Sequence, residues 1–377
     1  MTPFFGESYG GTERYSYFLS KKLSELGHKV DVLTSRILPK SLRKTRVNEN
    51  LSVFRVFTLT NLWNVNPLTF NFPWVLWNSD FYDVIHVHSY LYFTSFQTAL
   101  AKIYRTFINT ETPPMLLQFH GGIGMPEYIR ISAYKKAFKR LYDKLMGKLT
   151  IYASDALITM SKIEMRDVKS YFKINKKFYI LPNAVEDSTL DLKKEYKDEE
   201  FFTVIYVGDV EPWKGVFYLI GALKKLVRDI PNIKLIVIGE GSQRFELMRL
   251  SRGLPVWFTG FLPHERVLKE IANANILILP SLWEGMATVI LEAMALMTPV
   301  IATNVGATPE LIKDEKTGLL IRPKNVGDIR DAILKLYKDP ELCFRIAKNA
   351  YEKVKNNLVF SKIARDALEI YEDAQSL

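Results

Sequence analysis

ILILPSLWEGMATVILEAMALMTPVIAT, residues 276–303, holds an apolar run at Ile276–Leu279 that suits a buried strand, a run of good helix formers from Thr288 to Leu296, and a second apolar strand at Val300–Thr303. A strand, a small-residue loop, a helix and another strand make a βαβ unit. Its loop lies at the carboxyl end of the first strand, where open α/β sheets bind ligands. Two carboxylates mark the place, Glu284 in the loop and Glu292 in the helix. Glu292 sits among Val289, Ile290, Leu291, Ala293, Met294 and Leu296, which predicts a helix buried nearly all round. A buried carboxylate needs hydrogen-bond donors, and a vicinal diol of a ribose or hexose supplies two. Gly285 permits close backbone approach, and the amides of Met286, Ala287 and Thr288 point out of the helix amino end, where a diphosphate is favoured. On these residues alone a second reading stands beside the first: Glu284 flanks the helix start and Glu292 pairs with a neighbouring base.

The surrounding chain has 377 residues, natural for two domains, with 48% hydrophobic and 24% charged residues. No run of eighteen apolar residues suggests a membrane-spanning helix. The start, MTPFFGESYGG, lacks the basic and apolar regions of a signal peptide, so a cytoplasmic location is expected. The single cysteine, Cys343, excludes an internal disulfide and a cysteine metal site and is expected on a helix, buried or half-buried. Net charge is +10, and all of the excess lies early: residues 1–190 carry 25 Lys and Arg against 15 Asp and Glu, the remainder 26 of each. An anionic partner for the first half is one reading, a solvated charged surface the other.

The Glu-x7-Glu pair with its flanking EG, EAMA, TPVIAT, VGATPELI and TGLL segments resembles the retaining glycosyltransferases of the large family called GT4. The resemblance spans nearly the whole chain and is densest from Val207 to Pro323. It implies an α/β GT-B fold, two Rossmann-like domains with a deep cleft between them. The acceptor domain is expected at 1–186, joined by the C-terminal helix 360–377, with a linker at 187–200 and the nucleotide-sugar domain at 201–359.

In the resembling family the Thr-Pro and Gly-Gly segment follows an apolar strand, yet only Met1 precedes Thr2 and Pro3 here, so the first strand is missing and the natural chain is expected to begin upstream. Gly10 and Gly11 open a helix over Thr12–Leu26 that Gly27 ends. The resemblance gives Gly11 a place against the donor phosphate or the acceptor. Strands are expected at Val30–Thr34 and Ser52–Leu59, with a basic connection at Lys40–Arg46. Leu62–Trp77, rich in tryptophan and phenylalanine, is either a packed loop or an exposed apolar lip for a lipid-linked acceptor. His86 and His88 end a strand, with no third ligand at metal-site spacing. His120 ends the strand Met115–Phe119 before Gly121 and Gly122, and the family sets a histidine here against the donor sugar. Ser132–Thr150 is expected to be an amphipathic helix. Tyr134, Phe138, Leu141, Leu145 and Leu149 form its apolar face, and the lysine-rich face opposite is a candidate contact for anionic headgroups.

The second half begins with a strand at Phe202–Val207 leading into Gly208-Asp209-Val210-Glu211-Pro212-Trp213-Lys214-Gly215. The family usually has Gly-Arg followed after four residues by Lys-Gly, the two cations gripping the donor diphosphate. Lys214 is in place, but Asp209 stands where the arginine is expected, which weakens leaving-group stabilisation. Gly239 lies in a further strand-to-loop turn. Phe261 and Leu262 resemble the segment that meets the nucleotide base.

The resemblance implies a retaining hexosyltransferase using a UDP- or GDP-linked sugar and a glycan or lipid-linked acceptor. Glu292 would hold the ribose diol, Glu284 the sugar hydroxyls, Lys214 with the 286–288 amides the diphosphate, and His120 would lie near the anomeric centre. Without a D-x-D pair, no metal or other cofactor is expected. Partners are a nucleotide sugar, the acceptor and an anionic membrane surface, and not nucleic acid, whose case rests on charge alone. A nucleotide-sugar epimerase on the same fold and a non-catalytic sugar-nucleotide binder are the alternatives.

Overall fold

The computed structural model describes residues 2, 5–6, 11–36, 43–62, 66–69, 81–121, 123, 133–192 and 200–377. These divide into two compact units. The first comprises the described parts of 1–124, 130–182 and 360–377, the second 183–359. The apolar-lip reading of Leu62–Trp77 falls largely outside the described residues.

The first unit contains β1 (Val30–Arg36), β2 (Lys44–Arg46), β3 (Leu51–Leu62), β4 (Asn66–Thr69), β5 (Ile85–His88), β6 (Met115–Gln118), β7 (Ala156–Thr159) and β8 (Lys177–Ile180). They form two sheets, one ordered β1-β3-β2 with β4 added on β3, the other a parallel β5-β6-β7-β8. Part of the connection expected at Lys40–Arg46 is therefore a short strand, β2, antiparallel to β3. No described strand bridges β1 and β5, and the Thr2 N–H donates to the Leu33 carbonyl on β1 at 3.2 Å. The terminal helix Phe360–Gln375 belongs to this unit; the Phe360 ring packs on Tyr15 and Phe18 of the helix Gly11–Glu25.

The helix expected over Ser132–Thr150 differs in detail. It runs as Ala133–Tyr142, a π-helical turn at Asp143–Gly147, and Lys148–Ala153. Leu141 and Leu145, on the expected apolar face, are 57% and 58% exposed. The physical reason is a polar network that takes the inner face. The buried Asp143 carboxylate accepts from Lys139 Nζ at 2.6 Å and Tyr171 OH at 2.7 Å, and Lys139 also donates to Tyr90 OH at 3.0 Å. Leaving that carboxylate without its partners would cost about 3–5 kcal/mol, comparable to the roughly 3–6 kcal/mol that burying two leucines returns.

The second unit is one parallel sheet built from β9 (Phe202–Val207), β10 (Ile233–Ile238), β11 (Val256–Gly260), β12 (Ile276–Leu279), β13 (Val300–Thr303) and β14 (Leu319–Ile321), ordered β11-β10-β9-β12-β13-β14. Continuous apolar runs suit strands covered on both faces, and all four residues of both β12 and β13 are buried. The chain moves outward from β9 to β10 and β11, then crosses back to β12. The strand order thus reverses between β9 and β12, the crevice where open α/β sheets take ligands. Residues 183–192, divided in the sequence reading between the first domain's exit and the linker, pack into this unit through Val185 and Leu190. Cys343 is half-buried on the helix Pro340–Asn357.

Candidate functional site at the strand-order reversal

The loops after β9 and β12 meet at that reversal. Lys214 ends the short 3-10 turn Pro212–Lys214, and its Nζ lies 2.6 Å from Glu284 Oε1. The same oxygen accepts from the Ser281 hydroxyl at 2.6 Å, and both Glu284 and Ser281 are buried. A carboxylate held this way is oriented and preorganised. Main-chain contact locks the loops together. The Leu282 N–H donates to the Trp213 carbonyl at 2.7 Å, and a Cβ on Gly215, whose φ is +68°, would stand 2.1 Å from the Pro280 carbonyl oxygen. Gly306, at φ +51°, presses the loop after β13 onto the same place. A Cβ there would come 1.8 Å from the Glu284 carbonyl oxygen, and the Ala307 N–H donates to the Gly285 carbonyl.

Glu292 is buried on the helix Thr288–Ala295, with its Oε1 3.7 Å from His264 Nε2 at the start of the helix His264–Asn273. That helix amino end has no side-chain cap. No carbonyl of the described residues takes the N–H of Met286, Ala287 or Thr288. Asn183 braces the turn from beneath: its Nδ2 donates to the Met286 carbonyl at 2.9 Å and lies 3.3 Å from Thr288 Oγ1. An uncapped helix start with its donors free is an anion site in waiting.

Gly208 and Gly239 lie at positive φ, and a Cβ on Gly239 would stand 2.0 Å from the Gly208 carbonyl oxygen. Asp209 is exposed, and its carbonyl accepts from the Tyr206 hydroxyl at 2.7 Å. The Tyr206 hydroxyl is held protonated far above its ordinary range, first by burial and then by the charges of Glu284, Asp209 and Glu211. This edge of the site is thus rich in negative charge, and Lys214 is the cation that meets it. Phe261 is 80% exposed, whereas Leu262 is partly buried against the core.

In the first unit, His120 follows β6, with its Nε2 3.0 Å from His88 Nδ1. Burial pushes the His120 pKa down to about 3, so the ring is neutral at physiological pH. The Gly121 N–H donates to Glu164 Oε1 at 2.6 Å, and the Met160 N–H to Glu164 Oε2 at 2.8 Å. Gly11 opens its helix exposed, with open space where a Cβ would stand. Among the described residues no cluster of three His, Cys, Asp or Glu is placed to hold a metal, and no helix is long and apolar enough to cross a membrane.

Comparison with known proteins decides the family. The description "Glycosyl transferases group 1" matches residues 187–353, and "Glycosyltransferase Family 4" matches residues 9–189. An uncharacterized glycosyltransferase of Methanocaldococcus jannaschii is 30% identical over 241 residues, 60% of this chain and 68% of the relative. The chain is a group 1 glycosyltransferase. A second uncharacterized glycosyltransferase of that organism is 26% identical over 399 aligned positions, covering 98% of this chain and 95% of the relative. The crystal structure of Anabaena HepE in complex with UDP-glucose superimposes with a TM-score of 0.70 at 17% identity, over 99% of this chain and 98% of that one. The architecture is GT-B, with two Rossmann-like domains.

Within this glycosyltransferase, Lys214, Glu284, Gly285 and the 286–288 turn gather at one crevice together with Gly208, Asp209 and Gly239. Sequence reasoning missed four residues there: Ser281, His264, Asn183 and Gly306. Gly306 stood in a quoted segment, VGATPELI, and a glycine beside a loop is a signal that can be followed. Nothing local marks His264, which reaches Glu292 from 28 positions away. Glu164 was missed as well, although Ser161-Lys-Ile-Glu164 has the spacing of a capping box, and Ser161 Oγ does accept the Glu164 N–H.

Proposed function

We propose that this glycosyltransferase moves a hexosyl unit, with retention, from a UDP- or GDP-linked sugar to a glycan or lipid-linked acceptor. The observation that carries the reading is the Lys214–Glu284 contact at the strand-order reversal, beside a helix start whose amides are free. In this reading Lys214 and the amides of Met286, Ala287 and Thr288 meet the diphosphate and stabilise it as it leaves. Glu284, fixed by Lys214 and Ser281, accepts from sugar hydroxyls. Glu292 takes the ribose diol, and Leu262 with the exposed Phe261 frames the base. His120 is assigned to the donor sugar and Gly11 to close approach of phosphate or acceptor. Front-face attack assisted by the departing phosphate needs no enzymic nucleophile. With a lysine and a helix start facing the diphosphate, the reading calls for no metal, and chelation should leave the rate unchanged. HepE, a protein of like fold, was crystallised with UDP-glucose, which supports a nucleotide-sugar donor.

The test is calorimetry with UDP, GDP and ADP sugars on the wild type and Glu292→Ala. One sugar nucleotide should bind the wild type, and its affinity should fall at least roughly tenfold in the variant, as for a lost charged hydrogen-bond partner. Equal affinity removes Glu292 from the site. The exposed Asp209 carboxylate favours a second reading, a non-catalytic binder of the same ligand. Hydrolysis or transfer of the bound sugar rules that reading out.

The acceptor side carries a related proposal, docking at an anionic membrane surface on the cytoplasmic side. Leu141, Leu145 and Tyr152 are exposed on the helix whose Lys144 and Lys148 are also exposed, a mixture suited to anionic headgroups. Co-sedimentation with vesicles of anionic lipid, and none with zwitterionic vesicles, is the expected result.

A further inference from the structure

Three histidines stand in one column at the ends of β5 and β6. The His86 ring stacks on His88 with centroids 4.4 Å apart, and His88 Nδ1 lies 3.0 Å from His120 Nε2. The Tyr371 hydroxyl, from the terminal helix, sits 2.7 Å from His86 Nδ1. Tyr15 closes the column, its ring edge-on to His88 at 6.1 Å and to His120 at 5.2 Å. The sequence offered no metal for this pair of strand-end histidines, and the function proposed above uses only His120.

The column has a chemical consequence. Burial, helped by the proximity of the other rings, holds His86 and His88 well below the ordinary histidine range, as burial does His120. All three are neutral, so the His88–His120 contact is an N–H···N hydrogen bond in which one ring donates and the other accepts. Nε2–H is the intrinsically preferred form of a neutral histidine side chain. If His120 adopts it, His120 donates to His88. His120 Nδ1 is itself covered and has no partner among the described residues. In the opposite tautomer that atom would be a buried N–H with nothing to accept it.

We propose that His88 is a positioning residue for glycosyl transfer: its Nδ1 accepts the Nε2–H of His120, fixing that imidazole in one orientation and one tautomer. The inference rests on the assignment of His120 to the donor sugar. His86, stacked on the far face and tied to Tyr371, keeps the His88 ring from turning. The sequence spacing His86-x-His88 supplies this arrangement because alternate residues of a strand share a face.

The test joins imidazole nitrogen NMR of 15N-histidine-labelled protein to kinetics. In the wild type His120 should show one pyrrole-like signal at Nε2 and one pyridine-like signal at Nδ1. In His88→Phe these should collapse towards a tautomer average, and kcat should fall roughly tenfold or more with KM for the sugar nucleotide nearly unchanged, the signature of a misplaced group rather than lost binding. His88→Asn keeps an acceptor close to the Nδ1 position and should restore the single tautomer and most of kcat. Unmoved His120 signals in His88→Phe, or His88→Asn as slow as His88→Phe with its fold intact, overturns the proposal. His120→Ala separates the two levels. Normal turnover in that variant defeats the assignment of His120 itself, whereas an inactive His120→Ala beside a fully active His88→Phe defeats only the positioning role.

Discussion

The second unit builds its site from backbone, the first from side chains. In the second, four loop tips touch where Gly215, Gly239 and Gly306 bring main chain against main chain, all carried on one six-stranded parallel sheet. In the first, two four-stranded sheets stand with no described strand joining β1 to β5, and the polar residues at the strand ends are held by ring contacts among His86, His88, His120 and Tyr15. Main-chain contacts do not titrate and do not change rotamer. Ring contacts do both, so the two halves should respond differently to the same perturbation.

The largest expected effect is in the second unit. Lys214→Ala leaves Glu284 buried with only Ser281, and turnover should drop by about 10²–10³, the usual loss for a stabilising donor at a leaving group. A variant within a few-fold of wild type in steady-state kinetics would remove Lys214 from the chemistry. Next is Gly306→Ala, in which a methyl group must displace the Glu284 carbonyl; sugar-nucleotide affinity measured by calorimetry should fall by roughly tenfold or more. An unchanged affinity would show that the loop tips yield, which erases the contrast between the halves.

A third expectation concerns acid. His86, His88 and His120 have folded-state pKa values lowered by burial, so the unfolded chain binds protons that the folded chain refuses. Their neutral burial is without penalty above about pH 6.5, and stability is lost progressively as pH falls below that unfolded value, by up to about 1.4 kcal/mol per pH unit for each histidine. Glu13, Glu164 and Asp167, raised by burial, work the other way as they take up protons, but their shifts are smaller than those of the three histidines. Thermal melts between pH 7 and pH 5 should therefore show the first unit melting earlier with acid, and His86→Phe should reduce that sensitivity. The smallest effect is in amide exchange. The β9 strand, paired on both sides, should exchange more slowly than β5, which pairs only with β6 among the described residues.

Much of the second unit was legible in the sequence. Strands covered on both faces appear as unbroken apolar runs, and the expected bounds of β9, β12 and β13 coincide with those observed. The loop carrying Glu284 and the helix carrying Glu292 followed from the same pattern. The first unit was harder to read at the helix expected over Ser132–Thr150, where leucine spacing pointed to an inner face that Asp143, Lys139 and Tyr171 occupy instead. Periodicity measures hydrophobicity, and it cannot weigh a buried charge network against two leucines. The other omissions were long-range pairings. Asn183 with Met286, Glu164 with Gly121 and His88 with His120 are set by strand order and loop packing, which a linear pattern of residue types does not contain.

The glycine junctions also bear on how such an enzyme could acquire a new donor. Because each tip is wedged against its neighbour's peptide bond, lengthening one of these turns would prise the others apart. Under the function proposed, diversification is therefore channelled to the outward side chains that the wedge leaves alone, above all the exposed Asp209 and Phe261.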